Sequence, residues 1–256
     1  MKRPDALSAL IASHHGRVPP RTGSLIVTVF GALVLPAGEA LRLSDLQEWL
    51  AALEIDPGLV RTALSRLVQD GTLQRERDGK AAFYRLSPHA VADFESAGDL
   101  IFGRRLPQPT GELELLVIED SGRRAALRAE LGEQGFVPLA ANLLIRPFWA
   151  GRMAADSTGC LALALQANAN LARRARELWP LDALAMGYRA VIGHAEAVRA
   201  GIFTPEDARL ARLMLVHEFR RIVLRDPFLP AALLPEDWPG RVARQAFDAA
   251  LQHISG

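Results

Sequence analysis

Residues 56 to 86 read DPGLVRTALSRLVQDGTLQRERDGKAAFYRL, and this stretch decides how the N-terminal part of the chain folds. At about 100° per residue, the apolar residues of its first half occupy one half of a helix surface. They are Leu59, Val60, Ala63, Leu64, Leu67 and Val68. We expect Asp56 to N-cap this helix, Pro57 to lie in its first turn and Asp70-Gly71 to end it.

A second helix is predicted just before this one. Ser44 and Gln47 have the spacing of a capping box, and apolar residues follow at helical spacing as far as Glu54-Ile55. These apolar residues are Leu46, Trp49, Leu50 and Leu53. Two helices joined by so short a turn form a helix-turn-helix.

A β-hairpin is predicted after the second helix. Residues 73 to 77 and 82 to 86 read as strands on either side of Asp78-Gly79-Lys80, where glycine supplies the positive φ of a tight turn. A helix-turn-helix followed by such a hairpin is a winged helix-turn-helix.

The side chains opposite the apolar face, and those of the hairpin, suit contact with duplex DNA. Short hydroxyl, amide and Arg side chains can reach base edges in a major groove, whereas Arg and Lys on a hairpin suit phosphates. The candidates are Arg61, Thr62, Ser65, Arg66 and Gln69 on the helix and Arg75, Arg77, Lys80 and Arg85 on the hairpin. A solvated helix beside an ordinary hairpin remains an alternative, because amphipathic helices with arginine also occur in proteins that never bind DNA.

Composition sets broad limits. The 256 residues, 50% of them hydrophobic, can bury one large core or two to three small ones. A net charge of +1 means that any nucleic-acid contact must come from a local basic patch. The only cysteine, Cys160, excludes an intrachain disulfide and a cysteine-based metal site, and we expect it to be buried in a strand.

The apolar run from Leu25 to Leu35 superficially resembles a signal sequence, since Arg17 and Arg21 precede it. It lacks a convincing small-residue cleavage site and is too short to cross a bilayer. We therefore interpret it as the first core helix of the winged-helix domain. We expect a cytoplasmic protein that has no membrane partner.

The rest of the chain predicts two further domains. After a connecting helix at 88 to 103 and a linker rich in Arg and Pro, strands are expected at 113–118, 136–146 and 160–166, and helices at 121–134 and 168–178. That order fits a ferredoxin-like domain. Beyond it, helices are expected at 181–200, 205–225 and 239–253. The predicted fold is α+β and multidomain, with a winged-helix domain at 1–103, a ferredoxin-like domain at 104–178 and a helical C-terminal domain at 179–256.

The helix predicted at 205–225 is apolar on two sides, which indicates that it is largely buried. His217 and Arg221 project from it and therefore need partners or a ligand. One interpretation is an internal ion pair or a contact with a carbonyl group. The other is an anion pocket built from His217, Arg220, Arg221 and Arg225.

Several motifs resemble the PaaX family of bacterial repressors, which regulate phenylacetic acid degradation. The N-terminal segment of that family is matched by SLIVTVFG at 24–31, VRTALSRLV at 60–68, Asp70-Gly71 and YRLS at 84–87. Its C-terminal signature is matched by HEFRR at 217–221, LRDPFLP at 224–230 and LPEDWPG at 234–240. The resemblance covers almost the whole chain.

The resemblance implies a homodimeric repressor that binds double-stranded operator DNA and is released by phenylacetyl-CoA or a related aryl-acyl-CoA. It also implies that the middle domain is similar to the Cas2 nuclease subunit. A CoA thioester needs cations for its phosphates and an apolar slot for its acyl group. The C-terminal residues that could supply them are His217, Arg220, Arg221, Arg225, Trp179, Tyr188, Phe228 and Trp238.

Two alternatives to a repressor remain. Glu119-Asp120 lies about where a Cas2-like nuclease places its metal-binding aspartate, although such a residue more often caps the helix that follows. The other alternative is a protein-interaction adaptor with a vestigial winged helix. We expect no enzyme activity and no cofactor. The pair His14-His15 lies in a Pro-rich N-terminal stretch that we expect to be mobile, and it is too weak a signal to assign a metal ligand.

Overall fold

The computed structural model describes residues 3–16, 22–38, 40–150 and 158–255. Its helices are α1 (Asp5–His15), α2 (Thr22–Val29), a π-helix (Phe30–Val34), α3 (Leu35–Ala37), α4 (Leu43–Ala52), α5 (Pro57–Gln69), α6 (Pro88–Ile101), α7 (Arg124–Glu133), α8 (Ala169–Leu178), α9 (Leu181–Ala200), α10 (Pro205–Val223), a 3-10 helix (Ala231–Leu233) and α11 (Gly240–His253). Its strands are β1 (Leu41–Arg42), β2 (Leu73–Asp78), β3 (Ala81–Leu86), β4 (Pro109–Ile118), β5 (Val137–Ala140), β6 (Leu143–Trp149) and β7 (Cys160–Gln166). The expected mixed α+β class is confirmed.

The chain divides into two compact units that are not consecutive in sequence. Unit 1 contains Met1–Arg105, Tyr188–Leu224 and Arg241–Gly256, and unit 2 contains Leu106–Gly187 and Arg225–Gly240. The sequence led us to expect three consecutive domains instead. The difference arises because α10, which is apolar on two sides, packs against α1, α2 and α6 rather than within a separate C-terminal bundle.

The start of α5 follows the sequence prediction. Asp56 Oδ1 accepts hydrogen bonds from the backbone N–H groups of Gly58 (2.7 Å) and Leu59 (3.1 Å), and Pro57 occupies the first turn. Val60 and Leu64 are buried, but the Leu59 side chain is 51% exposed although the pattern placed it on the packing side. The buried stripe of α5 is therefore narrower than its apolar residues indicate.

The predicted start of α4 is wrong. The helix begins at Leu43 after Arg42, so Ser44 lies inside it and donates its hydroxyl to Asp45 Oδ1 rather than capping the helix. The physical reason is tertiary, because Leu41 and Arg42 pair with Tyr84 and Phe83 of β3 and hold the chain extended up to the helix start.

The N-terminal stretch is also more ordered than we expected. Residues Leu7, Leu10, Ile11 and His14 form the buried stripe of α1. The Arg3 guanidinium donates to Ala52 O (2.9 Å) and forms an ion pair with Glu54 (2.6 Å), while His15 Nε2 lies 3.0 Å from Leu53 O. The α1 segment thereby holds the turn between α4 and α5.

The predicted helix at 25–35 is continuous but not regular. After α2 it widens into the π-helix, whose Gly31 lies against Phe94 of α6 so closely that a Cβ there would approach Phe94 Cδ1 to 3.2 Å. Single π-turns inside α-helices are frequent at functional sites.

Unit 2 contains an antiparallel sheet with the order β5-β6-β4-β7. Its core includes Leu116, Ile118, Leu127, Leu131, Phe136 and Leu144, with Cys160 partly rather than fully buried beside it. On β6, Arg146 forms a buried ion pair with Glu114 of β4 at 2.6 Å and also donates to Gln134 O. The extended run expected at 136–146 is two strands, β5 and β6, because the chain turns back at residues 141 and 142.

Candidate nucleic-acid interface

All five candidate residues of α5 are exposed. At about 100° per residue, Thr62, Ser65 and Gln69 lie near the middle of the exposed face, while Arg66 and Arg61 lie nearer its two edges. The Thr62 hydroxyl donates to Gly58 O at 3.0 Å, which holds that side chain against its own helix. The face thus presents hydroxyl and amide groups between two cations.

The hairpin has a tight two-residue turn. Asp78 and Ala81 are paired across it, and Gly79, with φ of 57°, takes the positive-φ position that an L side chain would adopt only with strain. Lys80 is exposed beside it, at the tip of the hairpin.

The register of β2 and β3 separates the hairpin's arginines. Arg75 and Arg77 lie opposite Tyr84 and Ala82 and therefore share one face. Arg85 lies on the other face, where it forms an ion pair with Glu76. The charge of Arg85 is already partly neutralised within the hairpin, which no local pattern revealed.

The remaining cations of this surface are available to a ligand. Within the described residues, the ion pairs do not include the side chains of Arg61, Arg66, Arg75, Arg77 and Lys80. A further exposed cation, Arg42 of β1, lies opposite Phe83 and on the same face as Arg85. Sequence reasoning missed it because a two-residue strand has no recognisable period.

The eight candidate ligand residues are divided between the two units. Tyr188, His217, Arg220 and Arg221 belong to unit 1, and Trp179, Arg225, Phe228 and Trp238 belong to unit 2. In unit 2, Trp179 is buried, Arg225 is exposed, Trp238 is half-buried, and the Phe228 carbonyl accepts a hydrogen bond from Trp149 Nε1 at 3.2 Å.

In unit 1, His217 and Arg220 both reach α2. His217 is fully buried with its Nδ1 2.8 Å from Thr28 Oγ1, and Arg220 donates to Ser24 O (2.8 Å) and to Thr28 Oγ1 (3.0 Å). Burial, and then the charge of Arg221, lower the pKa of the Arg220 guanidinium. The sequence left open a carbonyl contact for His217 and Arg221. In the structure Arg220 makes a carbonyl contact, and His217 contacts the Thr28 hydroxyl instead.

A cavity of about 220 Å³ lies in unit 1 beside Arg220. Its walls are mostly apolar and come from α2, the π-helix, α6 and α10, with Gly31, Phe94, Ala97 and Val216 among them. Of the eight candidate ligand residues, Arg220 alone lines it.

Asp120 forms a turn before α7 rather than the helix cap that the sequence favoured over a metal site, because α7 begins only at Arg124 and its N-cap residue, Arg123, makes no side-chain capping bond. Its Oδ1 accepts hydrogen bonds from the backbone N–H groups of Gly122 (2.8 Å) and Arg123 (3.2 Å), directly before α7. Across the part of the chain that the structure describes, Asp120 belongs to no cluster of three metal-ligating side chains. In the same residues, no helix combines the length and the apolar character needed to cross a membrane.

Comparison with known proteins identifies the family. Residues 21–90 match the family described as PaaX-like protein, and residues 179–256 match the PaaX-like protein C-terminal domain. The chain is 33% identical over 251 residues to the transcriptional repressor PaaX of Escherichia coli strain K12, which covers 89% of this chain and 78% of that protein. It is also similar to the uncharacterized protein Rv0674 from Mycobacterium tuberculosis, with a TM-score of 0.50 and 28% identity over 83% of this chain and 88% of that one. The chain therefore belongs to the PaaX family.

Proposed function

We propose that this protein is a transcriptional repressor of a phenylacetate-type catabolic operon and that α4, α5, β2 and β3 act as its winged helix-turn-helix. The observation that carries the proposal is the exposed face of α5, where Thr62, Ser65 and Gln69 lie between Arg61 and Arg66. Neither arginine takes part in an ion pair among the described residues. The name of the Escherichia coli relative, a transcriptional repressor, supports the same function.

In this proposal α5 lies in the major groove and the hairpin follows the backbone. Hydroxyl, amide and guanidinium groups can exchange hydrogen bonds with base edges, whereas Arg75, Arg77 and Lys80 neutralise phosphates. Arg61, at the edge of the α5 face, can reach either a base or a phosphate. The contacts of Arg3 and His15 with Ala52 O and Leu53 O, just before α5, help to fix the orientation of this recognition helix.

A footprinting experiment tests this function. We expect the purified protein to protect a site in its own promoter or beside neighbouring aromatic-acid genes. Arg61→Ala should reduce affinity for that site by roughly 1 to 3 kcal/mol and relax its sequence preference. Arg199→Ala, which removes an exposed arginine of α9, is the matched control and should leave the footprint unchanged. If the wild-type protein shifts none of these promoters, the adaptor hypothesis is favoured instead.

We further propose that the effector is an aryl-acyl-CoA whose aryl end enters the unit 1 cavity. At about 220 Å³ the cavity is smaller than the roughly 300 to 1,000 Å³ of sites that enclose whole drug-sized ligands. It therefore suits the aryl-acyl end alone and leaves the nucleotide outside. Arg104, whose guanidinium lies 5.7 Å from the ring of the cavity residue Phe102, and Arg105 are exposed cations that share one carboxylate, Asp99. Two arginines on one carboxylate leave a net positive charge that could meet the phosphates.

Release from DNA would then follow from ordinary linkage. An effector that binds the DNA-incompetent arrangement more tightly shifts the population toward that arrangement and away from the operator. The cavity lies between helices that also pack against α10, so filling it can change how α2, which contacts α5, is held.

The proposed repressor is a homodimer with a ferredoxin-like unit 2. The strand order β5-β6-β4-β7 supports the ferredoxin-like interpretation, since it is the order of a split βαβ arrangement. The edge strand β7 supports self-association, because Leu161 and Leu163 are 49% and 45% exposed on it and unprotected apolar edges favour pairing. Sedimentation of wild-type protein and of Leu163→Lys tests this part of the proposal.

A further inference from the structure

Three buried metal-ligating side chains converge in unit 1, outside the surfaces described above. His14 of α1 and His217 and Glu218 of α10 are 2%, 0% and 2% exposed, and each offers a ligand atom within 4.8 Å of the other two. The two imidazole rings meet edge to face with their centroids 5.1 Å apart. No other group of three such side chains occurs among the described residues.

Thr28 determines which nitrogen of His217 is available to this cluster. The Thr28 hydroxyl has one proton, which it donates to Ser24 O at 3.0 Å, and it also accepts a hydrogen bond from Arg220. With the Thr28 proton on Ser24 O, His217 Nδ1, 2.8 Å from the same oxygen, carries the hydrogen and donates it. The lone pair of His217 then lies on Nε2, the tautomer that a metal-binding imidazole needs.

We propose that His14, His217 and Glu218 bind a divalent transition-metal ion of the zinc type. Two imidazoles and one carboxylate are an established ligand set for zinc and for ferrous iron. Given bonds of about 2.0 to 2.2 Å, zinc ligands lie roughly 3.5 Å apart, so the three side chains need to close by only about 1 Å. Thr28 then acts as the outer-shell group that orients a metal-ligating histidine.

The electrostatics of the cluster favour a cation. A carboxylate that is 2% exposed is stabilised by a positive charge beside it, in addition to the contact that Glu218 already makes. A divalent ion supplies that charge while both imidazoles remain neutral. It would also join α1 to α10. His15 of α1, and Arg3 just before this helix, contact the end of α4 and the turn before α5.

Metal content of the full-length protein tests the proposal without DNA or effector. We expect protein from zinc-supplemented culture, after gel filtration in metal-free buffer, to retain about one divalent metal ion per chain. Cobalt(II) added to the chelator-treated protein should produce the visible absorption of a bound, low-symmetry site, and zinc should displace it. Glu218→Gln and His14→Ala should each lose most of the bound metal, whereas His253→Ala, which changes an exposed histidine outside the cluster, should retain it.

A second variant keeps the test decisive if removal of a ligand prevents folding. Thr28→Val retains all three ligands and should lower metal affinity about 10- to 100-fold by releasing the His217 ring. Wild-type protein that retains no metal and gives no cobalt spectrum would overturn the proposal, and the three side chains would then be an internal hydrogen-bonded group. Equal metal content in wild type, Thr28→Val and Glu218→Gln would overturn it as well.

Discussion

The hairpin offers a direct test of how the structure distributes charge toward DNA. Arg75 and Arg77 lie together on one face of β2 and are outside the ion pairs of the described residues, whereas Arg85 lies on the opposite face in an ion pair with Glu76. The side chains of Arg85 and Glu76 are 51% and 47% exposed, so the pair forms at the surface and partly neutralises both charges. Arg75, Arg77 and Arg85 all lie on the strands of the hairpin, but we expect Arg85 to contribute less to DNA affinity than the other two.

The magnitude follows from counterion release. Each phosphate that the protein neutralises contributes about 0.9 to the slope of log affinity against log salt concentration. Replacing both Arg75 and Arg77 by alanine should therefore make the slope less steep by about 1.8. Between 50 and 200 mM salt, wild-type protein should then lose roughly 12-fold more affinity than the double variant loses. Arg85→Ala should leave the slope nearly unchanged. Glu76→Gln, which frees Arg85, should make it steeper by up to about 0.9.

Fluorescence anisotropy with one labelled operator duplex, titrated at four or five salt concentrations, measures these slopes. The double variant and Arg85→Ala are matched controls for each other, because both remove arginine from the same hairpin. The reasoning would be refuted if Arg85→Ala lowered the slope by as much as either single change at Arg75 or Arg77. It would also be refuted if Glu76→Gln left the slope unchanged.

The remaining predictions concern the unit 1 cavity and the core of unit 2. Ala97→Phe fills the proposed aryl site, so the aryl-acyl-CoA concentration needed to release the protein from its operator should rise at least tenfold in an effector titration. Its DNA affinity should stay within about twofold of wild type. Ala92→Phe, on an exposed side of the same helix, should behave as wild type. Glu114→Ala leaves Arg146 buried and uncompensated, so the free energy of unfolding in urea should fall by about 3 to 5 kcal/mol. Glu112→Ala changes a half-buried glutamate on the same strand that accepts a hydrogen bond from Gln166, and it should lower the free energy of unfolding by only about 1 kcal/mol. Equal losses in the two variants would contradict the role of the buried pair.

Local sequence patterns determined α5, the proposed recognition helix, and the hairpin that follows it. Asp56 and Pro57 begin α5 through contacts two and three residues away, and Gly79 meets the demand of a two-residue turn for positive φ. Such interactions join residues that are close in the chain, so they can be predicted from the sequence alone. The motifs at 24–31, 60–68 and 217–221 carried the family resemblance for the same reason, and the comparisons confirmed it.

Patterns of hydrophobicity were less informative at the margins of these elements. Leu59 has the spacing of a core residue but is half exposed. Ser44 has the spacing of a cap, yet the pairing of Leu41 and Arg42 with β3 starts α4 two residues earlier than a Ser44 cap would. In both cases the outcome depends on a partner surface that lies elsewhere in the chain.

Only the tertiary structure decided which distant residues meet. The sequence identified His217 as a side chain in need of a partner, but it could not show that His14 and Thr28 approach it from α1 and α2. It likewise could not pair Arg85 with Glu76, because strand register sets which side chains share a face. The division into two units has the same origin, since burial of both apolar sides of α10 needs helices from the other end of the chain.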